Sequence, residues 1–184
     1  MFNRSFEEMG IPSGYGFRQL LFSPVANALV VQTQSAGHNW RPERLYFRPV
    51  TSDKYQNIGE PGDLISQEFP FVHASKPLLA YNSMHHRFTL DAQGEERHSG
   101  DWDSMKLFNL ESGVEIDSIN QDTLNLPPGV VRGWISRLVA FCDAGLFVQA
   151  GLSKDGSRMD YVIAEVDLAQ RALKPVVVLP AAFM

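Results

Sequence analysis

The chain has 184 residues, 44% of them apolar and 20% charged, with a formal net charge of −5. That balance excludes a disordered polyelectrolyte and supplies enough apolar side chains for one domain, spanning 1–184, with a buried core. The excess of acids removes the overall basic field that holds a phosphate backbone, so no nucleic-acid partner is expected, although Arg41, Arg44 and Arg48 cluster.

Met1 to Glu8 contain no apolar h-region, and two acids arrive early, so no secretory leader is expected. No run approaches the ~18 apolar residues of a membrane span, so no membrane partner is expected either. The single cysteine, Cys142, excludes a disulfide within the chain and suits a reducing compartment; the expected location is cytoplasmic. Cys142 stands in the apolar run 138–142, which predicts a buried, unreactive thiol.

Phe2 and Phe6, spaced i and i+4 with Glu7 and Glu8 on the other side, predict a short helix over residues 1–9. Beyond the glycine-rich stretch 10–16, short runs of Val, Leu, Phe and Tyr alternate with clusters of Gly, Pro, Asn, Asp and Ser. This strand-and-turn pattern predicts strands over 18–23, 29–33, 44–48, 54–58, 69–73, 78–83, 105–110, 114–119, 134–142, 146–150, 160–168 and 172–179. Parallel strands need crossover helices, for which the sequence has no candidates, so antiparallel sheets are expected.

The strands repeat. Leu21 to Val31, Phe71 to Tyr81 and Ala140 to Val148 each read as an apolar strand, a small polar turn and a second apolar strand. A third strand with a trailing turn follows in each case, at Tyr46 to Ser52, Leu107 to Gly113 and Glu165 to Arg171, and a fourth strand closes the unit. Units over approximately 17–60, 64–120 and 132–180 result, each of four antiparallel strands, the pattern of a blade array. Phe22-Ser23-Pro24 and Leu107-Phe108-Asn109-Leu110-Glu111-Ser112-Gly113 resemble β-propeller repeats of the TolB-like and WD-repeat kind. The resemblance covers about residues 17–180, with Val25-Ala26 where such repeats carry Asp-Gly and no Trp-Asp dipeptide closing a third strand. It implies an all-β fold of three propeller-like blades; a β-sandwich or barrel with look-alike hairpins is the alternative.

Catalytic signatures such as Gly-x-Ser-x-Gly, the P-loop, His-Glu-x-x-His and Cys-x-x-Cys are absent from the sequence. Ser153-Lys154-Asp155-Gly156-Ser157 predicts a hairpin turn in which Asp-Gly supplies the positive φ angles. The stretch 84–103 reads as the longest polar loop and holds three of the five histidines. His85, His98 and Asp101 are the candidate catalytic set for a hydrolase, with Asp103 as a second acid. His85 and His86 are adjacent and point to opposite faces of a strand, so no metal is expected, nor any other cofactor.

Trp40 and Trp102 each stand five residues before the first Leu of a third strand, and the third unit carries Arg158 and Tyr161 in the matching place. Aromatic and arginine side chains anchor protein interfaces. Trp40, Arg41, Trp102, Arg158 and Tyr161 therefore define a candidate loop face for a protein partner. The leading function is a non-enzymatic binding module, with a hydrolase or a structural subunit of an assembly as alternatives. Apolar end units carrying Leu21, Val30, Phe47, Val162, Val166 and Val176 to Val178 predict a twofold homodimer in which last unit meets first.

Overall fold

The computed structural model describes residues 7–36, 41–59, 64–90, 92–94 and 96–180, and of residues 96–98, 100–103 and 121 the backbone alone. Twelve strands lie among them: β1 (Tyr15–Ser23), β2 (Ala28–Ser35), β3 (Leu45–Pro49), β4 (Gln56–Asn57), β5 (Ile65–Val72), β6 (Leu78–Leu90), β7 (Glu96–Asn109), β8 (Val114–Asn120), β9 (Arg132–Cys142), β10 (Gly145–Ser153), β11 (Asp160–Asp167) and β12 (Ala172–Val178). They form three separate four-stranded antiparallel sheets with consecutive order, β1 to β4, β5 to β8 and β9 to β12. The fold is all-β, consistent with blade-like units. The helix expected over 1–9 falls partly outside the described residues, and 7–10 is a turn.

Successive side chains of a strand point to opposite faces of its sheet, and this alternation decides which side chains meet which neighbour. Val30, Leu45, Phe47 and Ile58 of the first sheet bury against Leu79, Tyr81, Phe108 and Leu110 of the second. The other face of the second sheet, with Ala80, Met105, Leu107 and Ile119, buries against Ile135, Leu138, Val148, Ala150, Val162 and Val166 of the third. Of the side chains expected at open ends, Val30, Phe47, Val162 and Val166 thus lie inside seams. The outer face of the first sheet is covered in part: Val31 and Tyr46 pack against Ile11, Tyr15 and Tyr55. Tyr55 N donates to Met9 O at 2.7 Å, and a Cβ on Gly10 would come within 2.9 Å of Tyr55 O, so this cap fits only with glycine there. The N-terminal segment of the chain thus covers part of that outer face.

The first strands of the three sheets converge. β5 lies against both β1 and β9. The end of β2, with Gln34 and Ser35, shares a recess with Ser66 at the start of β5 and with His86, while the turns at 73–76 and 142–146 share another at the opposite end. β1, β5 and β9 therefore run in the same direction. The ends of β2, β6 and β10 lie at one end of the sheets and the tight turns that precede these strands at the other.

Candidate interaction surfaces

Most of the stretch read as a polar loop over 84–103 is strand. β6 continues to Leu90 and β7 begins at Glu96, and the two pair without interruption from Met84–Trp102 to Leu90–Glu96. β5 accompanies β6 only to His85, and β8 accompanies β7 only from Ser104 onward. Beyond those points the hairpin is a two-stranded ribbon past the edge of the sheet. Its polar composition follows from that placement, because a two-stranded extension has little sheet to pack against.

On this ribbon His85 pairs directly with Asp101, whereas His98 pairs with Phe88, three residues away, roughly 10 Å at about 3.3 Å per residue. The candidate catalytic set is not drawn to one point in the backbone register. His85 is half-buried and its neighbour His86 is buried, as expected for opposite faces. His86 Nε2 lies 3.7 Å from Glu68 Oε1 in the recess between the first two sheets, where Arg41, Glu43 and Ser66 also stand. Among the described residues no group of three or more His, Cys, Asp or Glu side chains is placed to hold a metal ion.

Of the predicted loop face, only Arg41, Arg158 and Tyr161 have described side chains. Trp40 lies outside the described residues, and Trp102 is on β7 rather than in a loop, its side chain beyond what is described. Arg41 donates from Nη1 to Ser13 O at 2.9 Å and covers the Tyr15 ring at 5.7 Å. It pins the N-terminal cap. Arg158 is exposed in the β10–β11 connection, where its backbone N–H and that of Ser157 donate to Asp155 Oδ1 at 3.1 and 2.9 Å. Those two backbone donors hold the Asp155 carboxyl well below the usual carboxylate range. In this turn Gly156 alone has positive φ, at +79°, in place of the expected Asp-Gly pair. Tyr161 sits on β11 with its ring edge-on to Trp134, centroids 6.4 Å apart. Arg132 lies over the other ring of that pair, 5.9 Å from the Trp134 centroid.

Cys142 is only half-buried, against the expectation of a buried thiol. It lines a crevice with His73, Lys76 and Asp143, because the β9–β10 turn projects past the apolar part of β9. Here His73, Ser75 and Asp143 bring together the residue types of a nucleophilic triad, but not its roles. His73 Nδ1 accepts from the Ser75 backbone N–H at 3.2 Å, so it is the unprotonated nitrogen. The Ser75 hydroxyl donates to Asp143 Oδ1, and His73 Nε2 is 3.8 Å from that oxygen. The Ser75 hydroxyl also lies 3.4 Å from His73 Nδ1, but its single proton is directed at the Asp143 carboxylate, so the serine serves the acid and not the imidazole. The cluster ties the second sheet to the third, as Arg171 does by donating to Ser118 O at 2.7 Å and Asp117 Oδ1 at 2.8 Å.

Two further surfaces emerge from the packing, the second of them on the end unit and including Tyr161 of the expected binding set. One is a groove of about 540 Å³ where the first strands converge, walled by Leu21 and Phe22 of β1, Phe69 and Phe71 of β5 and Leu138 and Val139 of β9, with Gln19 and Arg137 as polar groups. Phe22 and Val139 are exposed there. Phe69 has φ of +51° at a bulge where the β5–β6 register shifts between Glu68 and Phe71. A non-glycine residue in that region costs of order 1–3 kcal/mol and persists where its surroundings over-determine it. The other is the outer face of the third sheet, carrying Trp134, Phe147, Tyr161 and Ile163. Comparison with protein-family models, curated proteins and solved structures found no match.

Proposed function

We propose that the chain is a non-enzymatic protein-binding module whose partner lays an extended segment into the groove between β1, β5 and β9. The strained Phe69 in the wall of that groove carries the reading. Backbone strain of this kind collects at ligand clamps, and here it is held on a rigid strand beside five other apolar walls. Groove size and lining are those of a site for a few side chains. Arg137 adds a cation, so the segment it fits is apolar with one acidic residue. β1, β5 and β9 are each the edge strand of their own sheet, which leaves backbone groups for an extended chain. The resemblance to propeller repeats agrees with a site at the convergence of first strands.

Panning a displayed library of linear peptides against the full chain tests this. Apolar peptides with an acidic residue should be enriched, and Phe22→Asp or Arg137→Glu should weaken their binding at least tenfold while Arg158→Ala leaves it unchanged. Failure to enrich any such peptide, or binding indifferent to both groove variants, overturns the groove. A hydrolase reading is supported only by the His85–Asp101 cross-strand pair; turnover of an ester or phosphoester panel that His85→Ala abolishes would be its evidence.

A further inference from the structure

We propose that the outer face of the third sheet is a self-association surface, covered by the same face of a second copy of this chain about a twofold axis. The inference is independent of the groove. Its starting point is a positional equivalence among the sheets. The turns align Ala28, Leu78 and Gly145 at the start of each second strand. Two and four residues on, Val30 and Gln32 correspond to Ala80 and Asn82, and to Phe147 and Gln149. In the first two sheets these positions are buried beneath the following sheet. Gln32 even crosses the seam, its Nε2 donating to Gln67 O at 3.2 Å.

The third sheet presents the same positions to no following sheet. Phe147, Gln149 and Ile163 remain only half-buried, and none of them belongs to the buried clusters. Ile163 pairs with Val177, which is 52% exposed, and with Gln149, whose Oε1 accepts from Arg137 Nε at 2.9 Å. Trp134 and Tyr161 extend the apolar area across Gly151, which pairs with both. Apolar side chains thus run along the face, and where Phe47 and Leu107 stand in the first two sheets it carries Glu165, paired with Phe147 and Lys174, so a covering surface meets both apolar and charged groups.

The opposite end of the array says which copy surface can cover it. The outer face of the first sheet is covered in part by Ile11, Tyr15 and Tyr55, so a copy added head to tail would meet the N-terminal segment there. The matching surface that a second copy offers is the third sheet's own outer face. Like meeting like is an isologous contact, which closes at two. Four strands about 4.8 Å apart and about seven residues long present roughly 19 by 23 Å, or about 440 Å² per copy. Twice that, about 880 Å², is below the roughly 1,000 Å² of a stable interface, so the contact is a weak, transient dimer that forms at high concentration.

Sedimentation equilibrium of the full chain from one to a few hundred micromolar tests the proposal. The chain should pass from monomer to dimer, with no larger species. Val177→Glu changes an exposed side chain, and Phe147→Glu a half-buried one; each should raise the dimer Kd at least tenfold with an unchanged circular dichroism spectrum. If Phe147→Glu fails to fold, Val177→Glu still decides. Phe17→Glu, on β1 of the first sheet, should leave the Kd within twofold. A chain that stays monomeric throughout, a dimer insensitive to Val177→Glu, growth beyond two copies, or a dimer lost on Phe17→Glu overturns it.

Discussion

The two seams between the sheets are built on different principles. The first is half apolar and half polar. Beside Leu79, Tyr81 and Phe108 runs a network centred on Gln67, whose Oε1 accepts from Leu45 N at 2.8 Å and whose Nε2 donates to Ile58 O at 2.5 Å. Backbone bonds also cross, with Gln67 N donating to Glu43 O at 2.9 Å, and Arg44 Nη1 donates to Ile65 O at 3.0 Å. The second seam is a larger apolar cluster, with its polar ties at Asp143 and Arg171 confined to the rim. Burial is non-directional, so it supplies strength without register; hydrogen bonds between fixed partners supply register at modest net energy. The first seam specifies how sheets one and two align, and the second holds sheets two and three together.

The largest effect belongs to the apolar seam. Ile135 is fully buried in it, and Ile135→Ala should cost about 2–5 kcal/mol through lost burial and the cavity left behind. Urea unfolding measures this; a loss below 1 kcal/mol would mean that the seam collapses around the gap and is less tightly packed than described. Gln67→Ala, in the first seam, leaves the Leu45 N–H and the Ile58 carbonyl buried without their partners and should cost about 2–3 kcal/mol. The two residues stand in different seams with no shared partner, so the double variant should lose the sum to within about 0.5 kcal/mol. Strong coupling between them would break the distinction between the seams.

The sheets themselves are readable in the sequence, because alternation of Val, Leu, Phe and Tyr with turn residues marks all twelve strands near their observed places. What it misses is governed by long-range contact. Residues 84–90 and 96–103 look like loop because the ribbon they form has no third strand to demand apolar alternation. Gln67 looks like an ordinary polar position in a strand; its value comes from the Leu45 and Ile58 backbone groups of another sheet, 22 and 9 residues away. Phe69 gives no local sign of positive φ, since the bulge that creates it is set by pairing with β6. Trp134 opens a strand that the sequence marks over 134–142, and strand parity places it on the face away from the second sheet. Trp134 and Tyr161 illustrate the limit: alternation shows that a strand has two faces but not which face goes uncovered.

The first seam should also respond to alkali. Burial, with the Glu115 charge adding to it, pushes the Tyr81 phenol above its ordinary value of 10.0. In the unfolded chain the phenol ionises near that ordinary value, and in the folded chain only above it. The contribution of Tyr81 to stability is therefore complete below pH 10 and is lost as pH rises toward the folded pKa. Tyr46, on the capped face of the first sheet and pushed up to about 12, acts with the same sign. Tyr81→Phe should flatten the fall in stability above pH 10, read as thermal midpoints across the alkaline range. An unchanged slope in the variant would show that the phenol is not what opens the seam.

The smallest expected effect has the opposite sign and lies between the two building principles. Asn82 occupies on β6 the position that Gln32 occupies on β2, and it is fully buried. Gln32 is long enough to reach Gln67 O and Glu43 across its seam. Asn82 is one methylene shorter and faces an apolar neighbour, and neither its Oδ1 nor its Nδ2 has a hydrogen-bond partner. A buried amide without partners costs about 1–3 kcal/mol relative to one that is satisfied. Valine fills nearly the same space, favours a strand and brings no polar atom. Its slightly larger volume costs part of the gain. Asn82→Val should therefore stabilise the chain by about 1 kcal/mol in urea unfolding, whereas Gln32→Val at the equivalent position of the first seam should destabilise it, because it strips a bond from the polar network. If Asn82→Val is destabilising by 1 kcal/mol or more, the amide is satisfied in solution, and the second seam contains a polar pin of its own.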